Sequence, residues 1–456
     1  MANTSNGLLT SYGRTVEVQL TYFFIASTAA SVQNAQTTTY LSLGKVDAWP
    51  NENEPPMVSQ TAAEIKKTFK NIFAIKLMTS SNLSPVVPRR DWTSGTFYDE
   101  YHDYDDVLAY DDNGILVKNF YVRNRYDQIF KCLSNGNGSA STVEPVLQSG
   151  TTDATQTLYL ADGYKWIYLL TIDKGAKKNF FDKDWMPITI GTVPPNPLND
   201  AGLGTINAVN VTDSGTGYSD GVSTTVVNIA GDGTDAAAYA NVSGGMVSDI
   251  IVTNPGTNYT YSTVAISPQT GYPGSGATAN AVISQIGGYG LDVVSELGCN
   301  HIMLNAEIDG SEGGLIPTNA SFRQIGLITN SLLKDGNLPL ESVYTTADLV
   351  SVSFGLGGYT LGERVYQGLT LETSTFSATV SGFDTSNNVV SLINTTGTHS
   401  LGEALYGNTS GTSRVLLNYT PTPWSIGSGY MMFVENRTPI QRSPNGNEQI
   451  RLVIRF

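Results

Sequence analysis

Ile206-Asn-Ala-Val-Asn-Val-Thr212 and Val247-Ser-Asp-Ile-Ile-Val-Thr253 are the two stretches on which the fold reading turns. They stand 41 residues apart (206 to 247). The same interval separates Gly215-Thr-Gly-Tyr218 from Gly256-Thr-Asn-Tyr259, and Ala236-Ala-Ala-Tyr-Ala240 from Ala277-Thr-Ala-Asn-Ala281. A constant period marks duplicated supersecondary units. Each unit reads as strand, Gly-rich turn, strand, turn, small-residue strand. A second duplication follows downstream. Tyr359-Thr-Leu-Gly-Glu-Arg-Val-Tyr366 returns as His399-Ser-Leu-Gly-Glu-Ala-Leu-Tyr406, an interval of 40 (359 to 399). Between these copies, Phe376–Phe383 and Val389–Ile393 alternate as short strands do, which suggests a small closed barrel or sandwich.

Outside the two repeat regions the texture is different and richer in aromatics. Thr39–Leu43, Leu116–Val122, Gln128–Leu133 and Trp166–Ile172 read as strands bounded by turn residues. A helix is expected over Thr61–Phe73. Thr61 caps it, Glu64 holds the capping-box position, and Ile65, Phe69, Ile72 and Phe73 share one face. The aromatic texture resumes after each repeat region, as if two modules were set into surface loops of one core, where insertions are tolerated. The expected fold is therefore mainly β: a discontinuous, β-sandwich-like core with two inserted small β-domains and few short helices. The core takes residues 1–202, 288–345 and 421–456. The repeat module takes 203–287 and the barrel-like module 346–420. Long surface insertions add only a logarithmic closure entropy, so each module is expected to fold on its own.

The 456 residues include 46 Gly and 24 Tyr, with Thr, Ser, Asn and Val abundant, a balance that favours strands joined by Gly and Asn turns. The formal charge of −15 repels phosphate backbones, which argues against nucleic-acid binding. Two cysteines, Cys132 and Cys299, are too few for a disulfide-held secreted chain of this length and read as reduced thiols. Met1–Gly7 carries no positive charge, and the apolar run Leu20–Ala30 is too short to span a bilayer. A cytoplasmic origin and no membrane partner are expected.

Catalytic chemistry has no visible carriers. His102, His301 and His399 lie far apart, no Cys/His pair has zinc spacing, and neither cysteine sits in a nucleophile signature. No complete Gly-x-Ser-x-Gly elbow occurs, and the glycines of the first repeat lack the Lys-Ser/Thr of a phosphate loop. No enzyme, cofactor or metal is expected. Asp99-Glu-Tyr-His-Asp-Tyr-Asp-Asp106 offers carboxylates to a hard cation, but without EF-hand spacing it reads as a solvated acidic loop. Two polar words are more informative. Pro88-Arg89-Arg90-Asp91-Trp92 sets two guanidiniums beside a carboxylate and an indole, a composition found both at interface hot spots and in internal ion pairs. Glu435-Asn436-Arg437 allows the same two readings. At least one of Arg89 and Arg90 is expected to be buried, in the core or in a subunit contact.

Six words in fixed order resemble one family. They are Leu41-Ser-Leu-Gly-Lys-Val-Asp-Ala-Trp-Pro-Asn-Glu-Asn-Glu54, Val87-Pro-Arg-Arg-Asp-Trp92, Phe130-Lys-Cys-Leu133, Asp162-Gly-Tyr-Lys-Trp-Ile-Tyr168, Phe322-Arg-Gln-Ile-Gly-Leu-Ile-Thr-Asn330 and Tyr430-Met-Met-Phe-Val-Glu-Asn-Arg-Thr-Pro-Ile440. Together with the terminal strand Ile450–Phe456, they resemble the baseplate wedge subunit, gene product eight, of T-even-like contractile-tailed bacteriophages. The resemblance covers about residues 10–200, 288–345 and 424–456. It leaves out both repeat modules, which look like small β-domains common in phage tail proteins. It implies a β-sandwich-like core, a homodimer, contacts with other baseplate wedge proteins and a place in the virion, with no catalytic residues. Two competing functions stand beside it. One is a receptor- or glycan-binding tail protein using the modules as adhesins. The other is a secreted glycosidase-like β-protein, which would need two carboxylates converging in a groove.

Overall fold

The computed structural model describes residues 38–59, 61–102, 109–112, 115–147, 157–188, 204–221, 225–284, 288–290, 292–318, 320–442 and 447–455, with short strands at 3–4 and 8–9. The apolar run 20–30 and much of the acidic loop 99–106 lie outside these residues. The fold is mainly β, with three short α-helices among the described residues.

The chain forms two compact units, residues 84–303 and residues 2–83 with 304–454. The expected single core is shared out between them: residues up to 83 go with 304–454, and 84–202 go with 288–303. Ladder pairing is the reason. The strand Thr39–Gly44 pairs with Ser321–Thr329 (Leu41 opposite Leu327), far along the chain. Gln128–Asn135 pairs with nearby Tyr164–Thr171 (Cys132 opposite Trp166).

In the unit 84–303, those two strands form an antiparallel sheet with Tyr121–Arg123 and Leu158–Tyr159. Its aromatic side stacks Tyr164 on Trp166 (5.5 Å between centroids), with Tyr98 edge-on to Trp166. The expected strand over 116–122 shrinks to Tyr121–Arg123. Side chains replace the ladder there. Asp99 accepts from the Asn119 N–H (2.6 Å), and Arg90 donates to the carbonyls of Leu116 and Lys118.

The repeat module adds six strands: β1 (Ile206–Asp213), β2 (Thr225–Gly231), β3 (Thr234–Ser243), β4 (Met246–Thr257), β5 (Ser262–Pro268) and β6 (Thr278–Ile283). Their order is β5-β2-β3-β4-β1-β6. The sequence duplication is an internal two-fold. Val209 of β1 pairs with Ile250 of β4, its own copy 41 residues on. The β1–β6 ladder sets Val209 opposite Ala281, as the β4–β3 ladder sets Ile250 opposite Ala240. Both turn glycines need the left-handed region (Gly215 φ +60°, Gly256 φ +62°), where a Cβ would strike backbone. Both following tyrosines are buried, with hydroxyls taking the N–H of Ala277 (from Tyr218) and Ala236 (from Tyr259).

This module does not stand apart. Ala208 and Val282 are fully buried in one cluster with Leu133, Ile167, Leu169 and Tyr289 of the four-stranded sheet region. Lys165, also buried, sends its ammonium to the carbonyls of Val209 (2.7 Å) and Ile250 (3.2 Å) and to Asp249 (2.7 Å). Its inner strands thus contribute to the core of this unit, which a separately folding module would not require.

In the second unit, Val343–Thr345, Ile72–Met78, Thr39–Gly44, Ser321–Thr329, Tyr430–Gln441 and Leu8–Leu9 form one antiparallel sheet in that order. Both faces are covered. Leu41, Leu43, Ile325, Leu327 and Phe433 enter one apolar cluster, and Tyr40, Ile72, Ile75, Ile328 and Val434 another. The second holds Phe69 of the helix Ala62–Asn71. Thr61 caps this helix, accepting from the Glu64 N–H (3.3 Å). It ends before Ile72 and Phe73, which the sequence reading placed on its face. Both are strand residues, because Ile72 already pairs with Gly44.

Residues 348–420 form a closed barrel of β7 (Asp348–Val352), β8 (Arg364–Gln367), β9 (Phe376–Asp384), β10 (Val389–Gly397), β11 (Ala404–Gly407) and β12 (Ser413–Thr420), ordered β7-β10-β9-β8-β11-β12. This duplication is again a two-fold. Val350 pairs with Val390 and Tyr366 with Tyr406, each residue facing its copy 40 positions on. Ile393 and Leu361 pack into the neighbouring core cluster of the same unit, so this module too shares its interior.

Candidate interaction sites

Pro88-Arg-Arg-Asp-Trp92 leaves the end of the strand Leu83–Pro88, where Pro88 pairs with Trp185. Asp91 is its hub. Arg89 Nε (2.8 Å) and Nη2 donate to one carboxylate oxygen, and Arg123 Nε (2.7 Å) to the other. Burial alone would raise the Asp91 pKa, but these charge-assisted bonds outweigh it and hold the carboxyl below its ordinary range. Arg89 also reaches Asp182 O (3.0 Å), and Arg123 reaches Asp127. Lys177 grips the same Asp127 (2.8 Å to each oxygen). All three cations lie over the ring of Phe181, at 4.7, 4.8 and 5.4 Å from its centroid. Arg90 turns the other way, over Tyr121 (4.7 Å), to the carbonyls of Leu116 and Lys118. Trp92 donates to Ser141 (3.0 Å).

The word is thus a clamp between segments of its own unit. Neither arginine is buried: Arg89 keeps about a quarter of its side chain exposed (27%), and Arg90 is half-buried. Burial in the core of the unit is not what holds them: backbone carbonyls and rings at the unit's margin take these guanidiniums. Arg89→Ala with Arg90→Ala orphans Asp91 in part and three carbonyls. The double variant is expected to lose about 2 kcal/mol, read as a fall of several degrees in Tm. Unchanged melting would return the segment to an interface role.

Glu435, Asn436 and Arg437, half-buried, secure the loop after Gly44. Arg437 pairs with Glu435 (2.9 Å), and its carbonyl accepts from Trp49 Nε1 (3.0 Å). The Asn436 amide receives Gln324 (2.7 Å) and donates to Pro56 O (2.9 Å). Arg323, nearly buried, holds the same loop through Glu52 (2.9 Å) and Val46 O (2.6 Å). Sequence reasoning missed Arg323, whose partners lie more than 250 positions away.

In the acidic loop, Glu100 pairs with His102 (3.3 Å) and accepts from Asn135 N (2.9 Å). Among the described residues, no group of three or more His, Cys, Asp or Glu could hold a metal ion. Cys132 and Cys299 are free, and burial pushes the Cys299 thiol up to about 12, which leaves it protonated and unreactive. No described helix is long and apolar enough to cross a membrane.

His301 is buried against Trp185 (4.5 Å between ring centroids). Desolvation, helped by nearby Arg455 and opposed by Asp111, drives its pKa down to about 4. The unfolded chain therefore takes up the proton first. Stability is complete above about pH 6.5 and is lost as pH falls toward about 4, by up to about 3 kcal/mol. Urea unfolding at pH 7 and pH 4.5 should show this loss, and His301→Gln should flatten it. Parallel pH profiles for the two proteins would remove His301 as the cause.

No family model matches the chain, and no curated protein matches its sequence.

Proposed function

We propose that this protein is a structural, non-catalytic subunit of a contractile phage tail baseplate wedge, acting as a homodimer that binds other wedge proteins in the virion. The observation that carries the reading is how the family-like words meet. Leu41–Gly44, Phe322–Asn330 and Tyr430–Ile440 lie on adjacent strands of one sheet, and Phe130–Leu133 pairs with Tyr164–Tyr168 in another. Words far apart in sequence are mutual ladder partners, as expected when a resemblance reflects a shared core. The polar words serve clamps rather than chemistry.

Affinity purification from infected cells tests the reading. A wedge subunit co-purifies with several tail proteins, and a free adhesin does not. Sedimentation at micromolar concentration should give about twice 48.8 kDa, and a strict monomer would remove the homodimer.

A further inference from the structure

The loop after β7, Ser353-Phe-Gly-Leu-Gly-Gly358, holds two large apolar side chains almost wholly in solvent, Phe354 at 88% exposure and Leu356 at 95%. Arg414 of β12 is itself buried, and its guanidinium is directed mainly to this loop. It donates to the carbonyls of Ser353 (3.3 Å), Gly355 (2.9 Å) and Gly357, and to Asn388 Oδ1 (2.8 Å), beneath the ring of Phe383 (5.1 Å). Gly357 sits at φ +81°, a conformation that suits glycine. Ser353 is stitched to β12 twice, through Val415 O (2.8 Å) and the Val415 N–H (3.0 Å). A desolvated cation thus fixes the shape of a loop whose two apolar side chains, Phe354 and Leu356, contribute almost no buried area.

The tip continues onto the barrel wall. Val415 and Leu417 face outward from β12, and Tyr406 from β11 lies in the next row, its ring 5.6 Å from that of Tyr366. From Ser353 to Gly362 no residue is charged, and no outward position of β11 or β12 carries a charge, in a chain of net charge −15. Exposed Glu403 immediately precedes β11, its carbonyl taking the Leu416 N–H, and Asp384 lies in the turn that also supplies Asn388. The Asp384 carboxyl is held below the ordinary range by bonds from Asn387 and Ser386, so it is ionised.

We infer that Phe354 and Leu356 are the docking tip of the barrel module, inserted into an apolar pocket with a basic rim on a different protein. An aromatic and an aliphatic anchor on a pre-shaped loop lose little entropy on docking and match the composition of interface centres. Charge decides the occupant. A second copy docked tip to tip here would set Asp384 and Glu403 of one barrel against those of the other, so the homodimer proposed above uses another face, and an anionic bilayer would meet an acidic chain with no lysine beside the tip. A cationic rim complements both Asp384 and the net charge. This inference stands without the wedge reading and adds a surface to it.

The test replaces Leu356 with the photo-crosslinker p-benzoylphenylalanine in the protein as assembled in its producing cells, followed by irradiation and mass spectrometry. The expected product links position 356 to an apolar segment of a different protein flanked by Lys or Arg. In a second arm the crosslinker sits at Leu417, and Phe354→Asp with Leu356→Asp should cut the yield at least tenfold with Tm unchanged. Should that pair fail to fold, Phe354→Ser with Leu356→Ser serves the same arm. Links to another copy, to this chain's own residues or to lipid would overturn the inference, as would no link at all. A link to a protein that is not a tail component would leave the docking tip standing and sink the wedge reading.

Discussion

Glu296→Gln is expected to destabilise the unit 84–303 by about 3–5 kcal/mol, because it strands a charge in the interior. Lys131 Nζ lies 3.5 Å from Glu296 Oε2, and neither side chain has any exposure. The ammonium sits 3.4 Å from the centroid of Tyr101 and 5.1 Å from that of Tyr289. Glu296 closes the helix Val293–Glu296 and accepts from the Gly290 N–H (2.5 Å), so the pair ties this helix to the strand Gln128–Asn135. Burial pulls the Lys131 pKa down, and the carboxylate opposes it. Take away the carboxylate and only desolvation and the ring faces remain. Lys131→Met should cost a similar amount by stranding the anion. The double variant Lys131→Met/Glu296→Gln should cost much less than the two singles together, since neither charge is then left alone. Urea titration of the four proteins reads the coupling directly. Additive singles, or singles below about 1 kcal/mol, would mean that water reaches the pair.

Neither this pair nor most of the clamp geometry could be read from sequence, whereas the two modules could, and the contrast has a physical origin. In each module duplicated strands meet their own copies, Val209 opposite Ile250 and Tyr366 opposite Tyr406, although β3 and β6, and β9 and β12, do not. Structural symmetry of that kind must leave a period in the sequence. The sheet around Thr39–Gly44 leaves no such trace, because its partner Ser321–Thr329 lies far downstream and carries no related residues. The division into two units was hidden for the same reason. The helix Ala62–Asn71 was visible by its cap and apolar spacing, but its end was not: Ile72 and Phe73 suit a helix face and a strand equally, and the ladder decides. Arg89, Arg90, Asp91 and Trp92 stood out by composition. Their partners Arg123, Asp127, Lys177 and Phe181 are unremarkable in sequence and come together only through the fold. Lys165 and Arg414 are lone cations in their strands, and a lone cation reads as solvated surface until burial shows otherwise.

Deleting residues 205–284 behind a short Gly/Ser linker should abolish cooperative folding of the unit 84–303, although closing the loop adds little entropy. What the deletion removes is part of the core. Ala208 and Val282 leave the cluster that they share with Leu133, Ile167 and Tyr289, exposing apolar surface at about 25 cal/mol per Å². Thr157 loses Asn207 O (2.6 Å), Leu133 O loses the Asn210 amide (2.7 Å), and Tyr159 loses the Val252 N–H (3.0 Å). The Lys165 ammonium loses both main-chain carbonyls and Asp249 together. Its pKa is already pulled down by burial. Lys165→Met separates the two contributions. It keeps the apolar stem and removes the charge, so it should cost about 1.5–3 kcal/mol while the unit still folds. The deletion should instead give aggregated or protease-sensitive protein, with loss of the near-ultraviolet signal of Trp166. A soluble deletion variant melting at the wild-type temperature would show that the shared cluster contributes nothing, and the module would then be an appendage.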